Sequence, residues 1–161
     1  MSPPTSPDRL ASTAPPWVHL LVAGDDAPAA LPPPPPGVVV RTLDGRRCGT
    51  KRTLLAEIAR VLAFPSHFGG TWDALEDCLT DLEWLPGEGY RLIILAADQL
   101  LAREPVGYPT LLALLGDVGR AWGTAATGHP GRGPIAFHTV LVVSAHRRGA
   151  RADWGVAPLD R

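Results

Sequence analysis

A short apolar segment near the middle of the chain constrains the fold more than any other feature. Residues 90–96 (Tyr-Arg-Leu-Ile-Ile-Leu-Ala) are hydrophobic almost without interruption. A strand with one face in water alternates apolar and polar residues, whereas a strand buried on both faces does not. The segment therefore predicts a strand covered by other elements on both sides, which is the usual environment of a parallel sheet.

Strands and helices alternate along the rest of the chain, and their order supports a parallel arrangement. The further predicted strands cover residues 17–23, 38–43 and 135–144. Helices are predicted from apolar residues at helical spacing and from turn signals; they cover residues 50–63, 72–82, 98–103 and 110–122. This order favours an α/β fold: a small, mainly parallel β-sheet flanked by helices, with an extra N-terminal strand.

The chain is long enough for one domain with a hydrophobic core, since it has 161 residues. Residues 1–16 are rich in Ser, Thr and Pro, and we expect them to be disordered. Residues 17–161 are expected to form a single domain with its core in residues 38–144. Within it, residues 24–37 are predicted to be a Pro-rich loop whose five final prolines, 32–36, act as an extended spacer. The strand at 17–23 is expected at an edge of the sheet.

The overall charge excludes a strong electrostatic attraction to polyanions. The net charge is −1, so any electrostatic function must come from a local patch. The basic run Arg147, Arg148 and Arg151 is small and lacks interleaved aromatic residues, which makes it weak evidence for nucleic-acid binding. No apolar run approaches the roughly 18 residues of a membrane span, and residues 1–16 do not have the pattern of a secretory signal. We expect a soluble cytoplasmic protein that binds neither nucleic acid nor membrane.

A loop followed by an acidic helix is the local feature that most needs a functional explanation. The loop, residues 64–70, contains Pro and a Gly pair, and Thr71 is the expected N-cap of the helix. One side of the helix is apolar, and burial in the core accounts for it. This side carries Trp72, Leu75, Leu79 and Leu82. The opposite side carries Asp73, Glu76 and Asp77. Because Asp73 and Asp77 are like charges at i, i+4, they cost about 0.2–0.5 kcal/mol, and the cluster predicts a positively charged partner.

Other interpretations of the acidic residues remain open at the level of the sequence. Negative charges near a helix N-terminus gain about 0.3–1 kcal/mol each, so a solvated helix face is also adequate. Paired carboxylates can serve a hydrolase, but an exposed face does not push their pKa values apart. The same oxygens can hold Mg²⁺ or Ca²⁺, but no second acidic cluster is obvious. A phosphate-binding loop at Gly69 and Gly70 lacks the Gly-x-x-x-x-Gly-Lys-[Ser/Thr] pattern. We expect no metal and no cofactor.

The histidines and cysteines do not define a catalytic or metal site. None of the five histidines has a ligand spacing. Cys48 and Cys78 lie far apart and have no Cys-x-x-Cys partner, and Cys78 is interpreted as a small packing residue. His67 is retained as a candidate binding residue because it lies in the loop beside the acidic face, next to Phe68.

The sequence of this loop and helix resembles a known family. Residues 64–81 (Phe-Pro-Ser-His-Phe-Gly-Gly-Thr-Trp-Asp-Ala-Leu-Glu-Asp-Cys-Leu-Thr-Asp) are similar to the signature of barstar-like ribonuclease inhibitors. That signature has a Pro, an aromatic pair, Gly, two variable residues, a hydrophobic residue and Asp-Ala-Leu-x-Asp-Cys-Leu. The likeness covers roughly residues 38–144, with the specific motif in residues 62–84. It implies a small parallel sheet flanked by helices, and a loop and acidic helix that block the active site of a ribonuclease.

The resemblance also implies the binding residues. Asp73 and Asp77 match the family's two acidic contact residues, and Phe68 matches the second aromatic. His67 stands where a tyrosine is usual, and Glu76 replaces a tryptophan. The partner-binding residues expected from the motif and its loop are His67, Phe68, Gly69, Gly70, Asp73, Glu76 and Asp77.

Two functional hypotheses follow from the resemblance. The first is a ribonuclease inhibitor or immunity protein, not an enzyme, whose partner is an extracellular-type ribonuclease. The second is a barstar-fold protein-binding module for another basic protein, which the changes at Glu76 and His67 favour.

Overall fold

Five strands and five α-helices make up most of the computed structural model, which describes residues 6–24, 26–127 and 133–159. The strands within these residues are β1 (Val18–Val22), β2 (Val38–Asp44), β3 (Gly89–Leu95), β4 (Phe137–Val143) and β5 (Ala157–Pro158). The helices are α1 (Ser6–Ala11), α2 (Ala27–Ala30), α3 (Lys51–Val61), α4 (Trp72–Asp81) and α5 (Gly107–Gly123). Short 3₁₀ helices cover Gly45–Arg47, Ala97–Gln99 and Ala145–Ala150. In place of the predicted helix over residues 98–103, the structure has the short 3₁₀ helix Ala97–Gln99.

The strands form one parallel sheet in the order β2-β3-β4-β1-β5. The predicted α/β fold with an extra N-terminal strand is confirmed. The expected position of that strand is wrong, because β1 lies between β4 and β5 rather than at the edge. The edge strand β5 pairs through two residues only, and a segment of that length has no periodicity that a sequence pattern can reveal.

The sheet is covered on both faces, as the apolar segment at 90–96 predicts. Tyr90, Leu92 and Ile94 of β3 belong to the larger core cluster, which also contains the apolar sides of α3, α4 and α5. Ile93 of the same strand belongs to a second cluster on the opposite face. Helices α1 and α2 contribute Leu10 and Ala27 to that second cluster.

Part of the segment that was expected to be disordered, within residues 6–16, packs against the sheet. Residues 6–11 form α1, and Leu10 is only 4% exposed against the second sheet face. His138 Nε2 lies 2.7 Å from the carbonyl oxygen of Ser12 and donates to it. The physical reason is that the apolar second face has to be covered, a tertiary requirement that composition does not express. Residues 1–5 lie outside the described residues.

The Pro-rich loop is also partly anchored instead of serving only as a spacer. It contains the short helix α2, whose Ala27 is fully buried. Arg91 of β3, which is 4% exposed, donates from Nη1 to the carbonyl oxygen of Pro32 at 2.7 Å. Residues 33–36 are exposed. Among the helices described, none is long and apolar enough to cross a membrane.

Candidate functional site

Helix α4 begins and ends with defined local geometry. Thr71 is extended (φ −108°, ψ 164°), and its hydroxyl accepts from the backbone N–H of Ala74 at 3.0 Å, which confirms the predicted N-cap. Leu75 and Leu79 are completely buried. Leu82 ends the helix in the left-handed region (φ 46°) and is itself fully buried. The apolar side is thereby fixed to the core, and this determines which side faces solvent.

Contacts from two other helices hold α4 in place. The indole Nε1 of Trp122 in α5 donates to the carbonyl oxygen of Leu79 at 2.8 Å. Because Leu79 lies in the last turn of α4, its carbonyl is one of those that the helix itself leaves without a partner. At the other end of α4, the Lys51 ammonium of α3 lies 5.3 Å from the centroid of the Trp72 ring. The acidic helix is therefore rigidly mounted.

An aromatic cluster holds the preceding loop. The ring centroids of Phe64 and Phe68 are 5.0 Å apart, and those of Phe64 and Trp84 are 5.8 Å apart, both in edge arrangements. Trp84 Nε1 donates to the carbonyl oxygen of Leu62 at 2.9 Å, which fixes the orientation of its ring. The loop is exposed at His67, Gly69 and Gly70, which flank the half-buried Phe68.

The predicted acidic residues face solvent. Asp73 and Asp77 are exposed and Glu76 is half-buried. Within the described part of the chain, none of the three forms an ion pair. Since no described residue supplies a cation to these three carboxylates, a positively charged partner is the species that complements them.

A cleft of about 370 Å³ lies between the loop and α4. Four of the predicted binding residues line it: His67, Phe68, Gly69 and Asp77. The other three, Gly70, Asp73 and Glu76, do not line the cleft. Sequence reasoning missed Asp81, Glu83 and Trp84, which also line it. Asp81 follows Asp77 by four residues, so helical spacing could have revealed it. Trp84 is placed by its packing on Phe64 and by its hydrogen bond to the Leu62 carbonyl, which no local pattern reveals.

Neither cysteine is prepared to act as a nucleophile. Burial raises the pKa of the Cys48 thiol to about 12, with smaller contributions from Glu57 and Asp44. Burial also raises the pKa of the Cys78 thiol, and Asp81 and Asp77 add to the effect. Both thiols stay protonated at neutral pH, whereas nucleophilic cysteines need a lowered pKa.

The histidines other than His67 do not come together in a common site. His19 and His138 are fully buried and lie side by side across β1 and β4, with 2.8 Å between Nε2 of His19 and Nδ1 of His138. His146 is exposed on the 3₁₀ helix after β4, and His129 lies outside the described residues. Among the residues described, no group of three His, Cys, Asp or Glu side chains is placed to hold a metal ion.

A second recess of about 280 Å³ lies at the carboxyl ends of the strands, where open α/β sheets commonly bind ligands. Its charged groups neutralise one another. Arg46 pairs with Asp44 at 2.9 Å, and this hydrogen bond lowers the pKa of the Asp44 carboxyl. Arg147 pairs with Asp98 at 3.0 Å. The recess therefore lacks the uncompensated charge that distinguishes the α4 surface.

The fold and this surface together define a parallel α/β domain that presents an acidic helix. The sequence model of one family, described as Barstar (barnase inhibitor), matches residues 38–140, well over half of the chain. The chain belongs to the barstar family, and the predicted resemblance is confirmed. The match runs from the start of β2 into β4 and includes the whole loop and α4, whereas α1, α2 and β1 precede it.

The likeness to solved structures concerns the fold alone. The Aeropyrum pernix ORC2 protein in its ADPNP–ADP complexes matches with a TM-score of 0.53 and 15% identity, over 83% of this chain and 37% of that one. The ADP form of the same protein matches with a TM-score of 0.54 and 13% identity, over 86% and 38% of the two chains. The chain thus spans little more than a third of the ORC2 protein. A comparison with curated proteins finds no match.

Proposed function

We propose that the chain is a non-enzymatic inhibitor, an immunity protein that blocks an extracellular-type ribonuclease inside the cytoplasm of the cell that makes it. One observation carries the proposal: Asp73 and Asp77 are exposed on α4 and form no ion pair with the residues that the structure describes, within the motif of a family described as barnase inhibitors. A ribonuclease must bind phosphates, so its active-site cleft carries Arg, Lys and His side chains. Carboxylates can occupy those anion sites and offer no bond to cleave.

The rigidity of the surface supports inhibition because it lowers the entropic cost of binding. Thr71 fixes the start of α4, Trp122 holds its end, and Phe64 connects the loop to Trp84. Groups already held in their bound arrangement lose little freedom when the partner arrives. The carboxylates also attract a basic partner from solution, an effect that increased salt weakens.

A second candidate function is a barstar-fold module that binds a basic protein other than a nuclease. Glu76 and His67 favour it, since they replace a tryptophan and a tyrosine and so change the surface around Asp73 and Asp77. In this case the acidic surface has the same electrostatic role, but the captured partner has no ribonuclease activity.

Capture of the partner, followed by an activity assay, tests both candidates. The wild-type chain and the Asp77→Lys variant are immobilised and exposed to protein from the native host and its secreted fraction. We expect the wild type alone to retain a small basic protein that cleaves RNA and that loses this activity when an equimolar amount of the chain is added.

The control variant is Asp26→Lys, which makes the same charge change at an exposed residue at the start of α2, on the other sheet face. It should capture the partner as the wild type does. Equal capture by Asp77→Lys would contradict the assignment of the site. A captured protein without nuclease activity would favour the second candidate.

A further inference from the structure

We propose that residues 9–16 form a latch on the second face of the sheet, and that acidification releases this latch while the rest of the domain stays folded. Leu10 of the latch belongs to the core cluster on that face, whereas α3, α4 and α5 pack on the other face. The inference does not rest on the proposed function, because it concerns a different surface of the molecule.

The latch is joined to the sheet through two histidines. His138 of β4 donates from Nε2 to the carbonyl oxygen of Ser12 in the latch at 2.7 Å. His19 of β1 donates from Nε2 to Nδ1 of His138 at 2.8 Å. Both imidazoles are completely buried. Closure of the latch therefore depends on the protonation state of a buried pair.

The closed arrangement has no suitable site for a further proton. Nδ1 of His138 already accepts from His19, so a proton there would place two N–H groups against each other. Nδ1 of His19 is buried and has no hydrogen-bond partner among the described residues. The charged side chains that act on the pair from neighbouring elements are Arg9 of the latch and Arg91 of β3, and both are cationic. An imidazolium in the closed state would thus be a buried charge beside like charges, which is costly.

The latch is held much more weakly than the sheet beneath it. Within residues 9–16, Leu10 alone is classed as buried, with 4% of its surface exposed. The Arg9 guanidinium also donates to the carbonyl oxygen of Pro158, but this bond is long, at 3.5 Å, and exposed. By contrast, β1 pairs with β4 along five residues. Because few buried contacts have to be lost, the latch can open without unfolding of the domain.

The opening ends at Trp17, which is fixed to the core. Its side chain packs directly on the backbone of α5, since even a Cβ added at Gly119 would collide with it. Its carbonyl oxygen accepts from the backbone N–H of Thr139 at 2.9 Å. Release is therefore confined to the residues before Trp17, and β1 stays in the sheet.

The direction of the pH dependence follows from the two states of the latch. In the closed state, burial lowers the pKa of both histidines, and that of His19 falls from 6.5 to about 4. Opening lets water reach His138, so its imidazolium can be solvated. Because the closed state binds protons less readily than the open state, it is favoured at neutral pH and loses this advantage as the pH falls from 6.5 towards 4.

Backbone NMR relaxation of the ¹⁵N-labelled full chain tests the inference. The heteronuclear ¹H–¹⁵N Overhauser effect is measured for each amide from about pH 7 down to about pH 4.5, across the range in which histidine titrates. We expect the values of Leu10, Ala11 and Thr13 to equal those of the sheet at neutral pH and to fall to those of a mobile chain on acidification. The amides of β3 and α4 should keep their values throughout.

Three variants connect the release to the histidines. His19→Gln combined with His138→Gln keeps donors and acceptors but does not titrate, so its latch should stay closed over the whole range. His146→Gln changes an exposed histidine and should release the latch as the wild type does. Leu10→Ala leaves the pair intact but weakens the closed state, so it should raise the pH of release by about one unit. This last variant tests the inference even if the double variant fails to fold.

Several results of this experiment would overturn the inference. One is a latch whose amides stay as rigid as the sheet at the lowest pH. Another is loss of rigidity in the latch and in β3 at the same pH, which would mean that the whole domain unfolds. Release of the double glutamine variant at the pH of the wild type, or an unchanged pH of release in Leu10→Ala, would equally reject the histidine-controlled latch.

Discussion

Gly70 shows how one residue sets the entry of the loop into α4. Its backbone lies in the left-handed region (φ +69°), which side-chain-bearing residues rarely adopt. A Cβ added at Gly70 would meet no atom within 4 Å, so the requirement for glycine is conformational and not steric. Gly69 beside it has no such φ, and its added Cβ would make only an ordinary contact at 3.9 Å with Ala74.

Gly70→Ala should lower the free energy of unfolding by about 1 kcal/mol, because it forces alanine into the left-handed region. Gly69→Ala should change it by much less. Urea unfolding of the two variants provides the measurement, and an equal loss in both would mean that the backbone angle of Gly70 is not the cause.

Individual site residues differ in how far the sequence could predict them. Asp73, Asp77 and Glu76 follow from helical spacing once Thr71 is taken as the N-cap, and their exposure agrees with that spacing. Trp84 could not be predicted, because its place in the cleft depends on contacts with Phe64 and with the carbonyl of Leu62, about twenty residues earlier. Periodicity within one element contains no information about such contacts.

Helix α4 depends on α5 for one hydrogen bond in its last turn. The indole N–H of Trp122 donates to the carbonyl of Leu79 in the last turn of α4, so a residue of another helix caps α4. Trp122 is 1% exposed, so water is not available to replace the indole. The bond therefore connects the candidate site to the longest helix of the described structure.

The corresponding prediction is that Trp122→Phe lowers the free energy of unfolding by about 1–3 kcal/mol, since a buried carbonyl loses its donor. The same substitution at Trp17 is the matched control. Its indole donates to the carbonyl oxygen of Thr13 at 3.1 Å in an exposed setting, where water can take over. Chemical denaturation of both variants measures the difference, and an equal loss would show that the Leu79 bond contributes little beyond packing.

Elements with strong local patterns were predicted, and elements defined by tertiary contacts were not. The strand β3 and the helix α4 have continuous or periodic apolar residues, and both were predicted to within one residue at each end. Helix α1 and strand β5 are short and carry no such pattern. They form because the second sheet face and the free edge of β1 need partners.

At the scale of the whole molecule, a row of buried polar groups connects the N-terminal segment to the sheet. His19 donates from Nε2 to Nδ1 of His138, which in turn donates from Nε2 to the carbonyl of Ser12. This order of donors follows because a carbonyl can only accept. Arg91 of β3 and Arg9 of α1 add positive charge near the two histidines. Both imidazoles are therefore held in their neutral forms.

A pH dependence of stability follows from this row. Burial, assisted by His138 and Arg9, lowers the pKa of His19 from 6.5 to about 4. Burial also lowers the pKa of His138, although the bond to Ser12 opposes the effect. Between pH 6.5 and about 4 the unfolded chain binds more protons than the folded one, so the free energy of unfolding falls as the pH falls. The contribution of His19 is on the order of 3 kcal/mol.

Denaturant unfolding at a series of pH values measures this dependence. His19→Gln keeps a donor for His138 but does not titrate, so its stability should depend less steeply on pH than that of the wild type. His146→Gln changes an exposed histidine and should leave the dependence unchanged. A wild-type stability that stays constant from pH 6.5 to 4 would contradict the neutral assignment of the buried pair.

The molecule as a whole is almost uncharged, and its acidic surface is local. A net charge of −1 gives no general attraction to a basic partner. Binding must therefore depend on individual carboxylates of the loop and α4 surface, and exposed carboxylates elsewhere must have little effect. A substitution of Asp77 tests this requirement most directly, because Asp77 belongs both to the acidic side of α4 and to the cleft.

The most direct measurement is the inhibition constant of the chain against the basic ribonuclease captured from its native host. We predict stoichiometric inhibition by the wild type and by Asp26→Lys, and inhibition weaker by about 100-fold or more for Asp77→Lys, which places a cation against the cationic cleft of the nuclease. Added salt should weaken inhibition by the wild type. Inhibition by Asp77→Lys equal to that of the wild type would contradict the account.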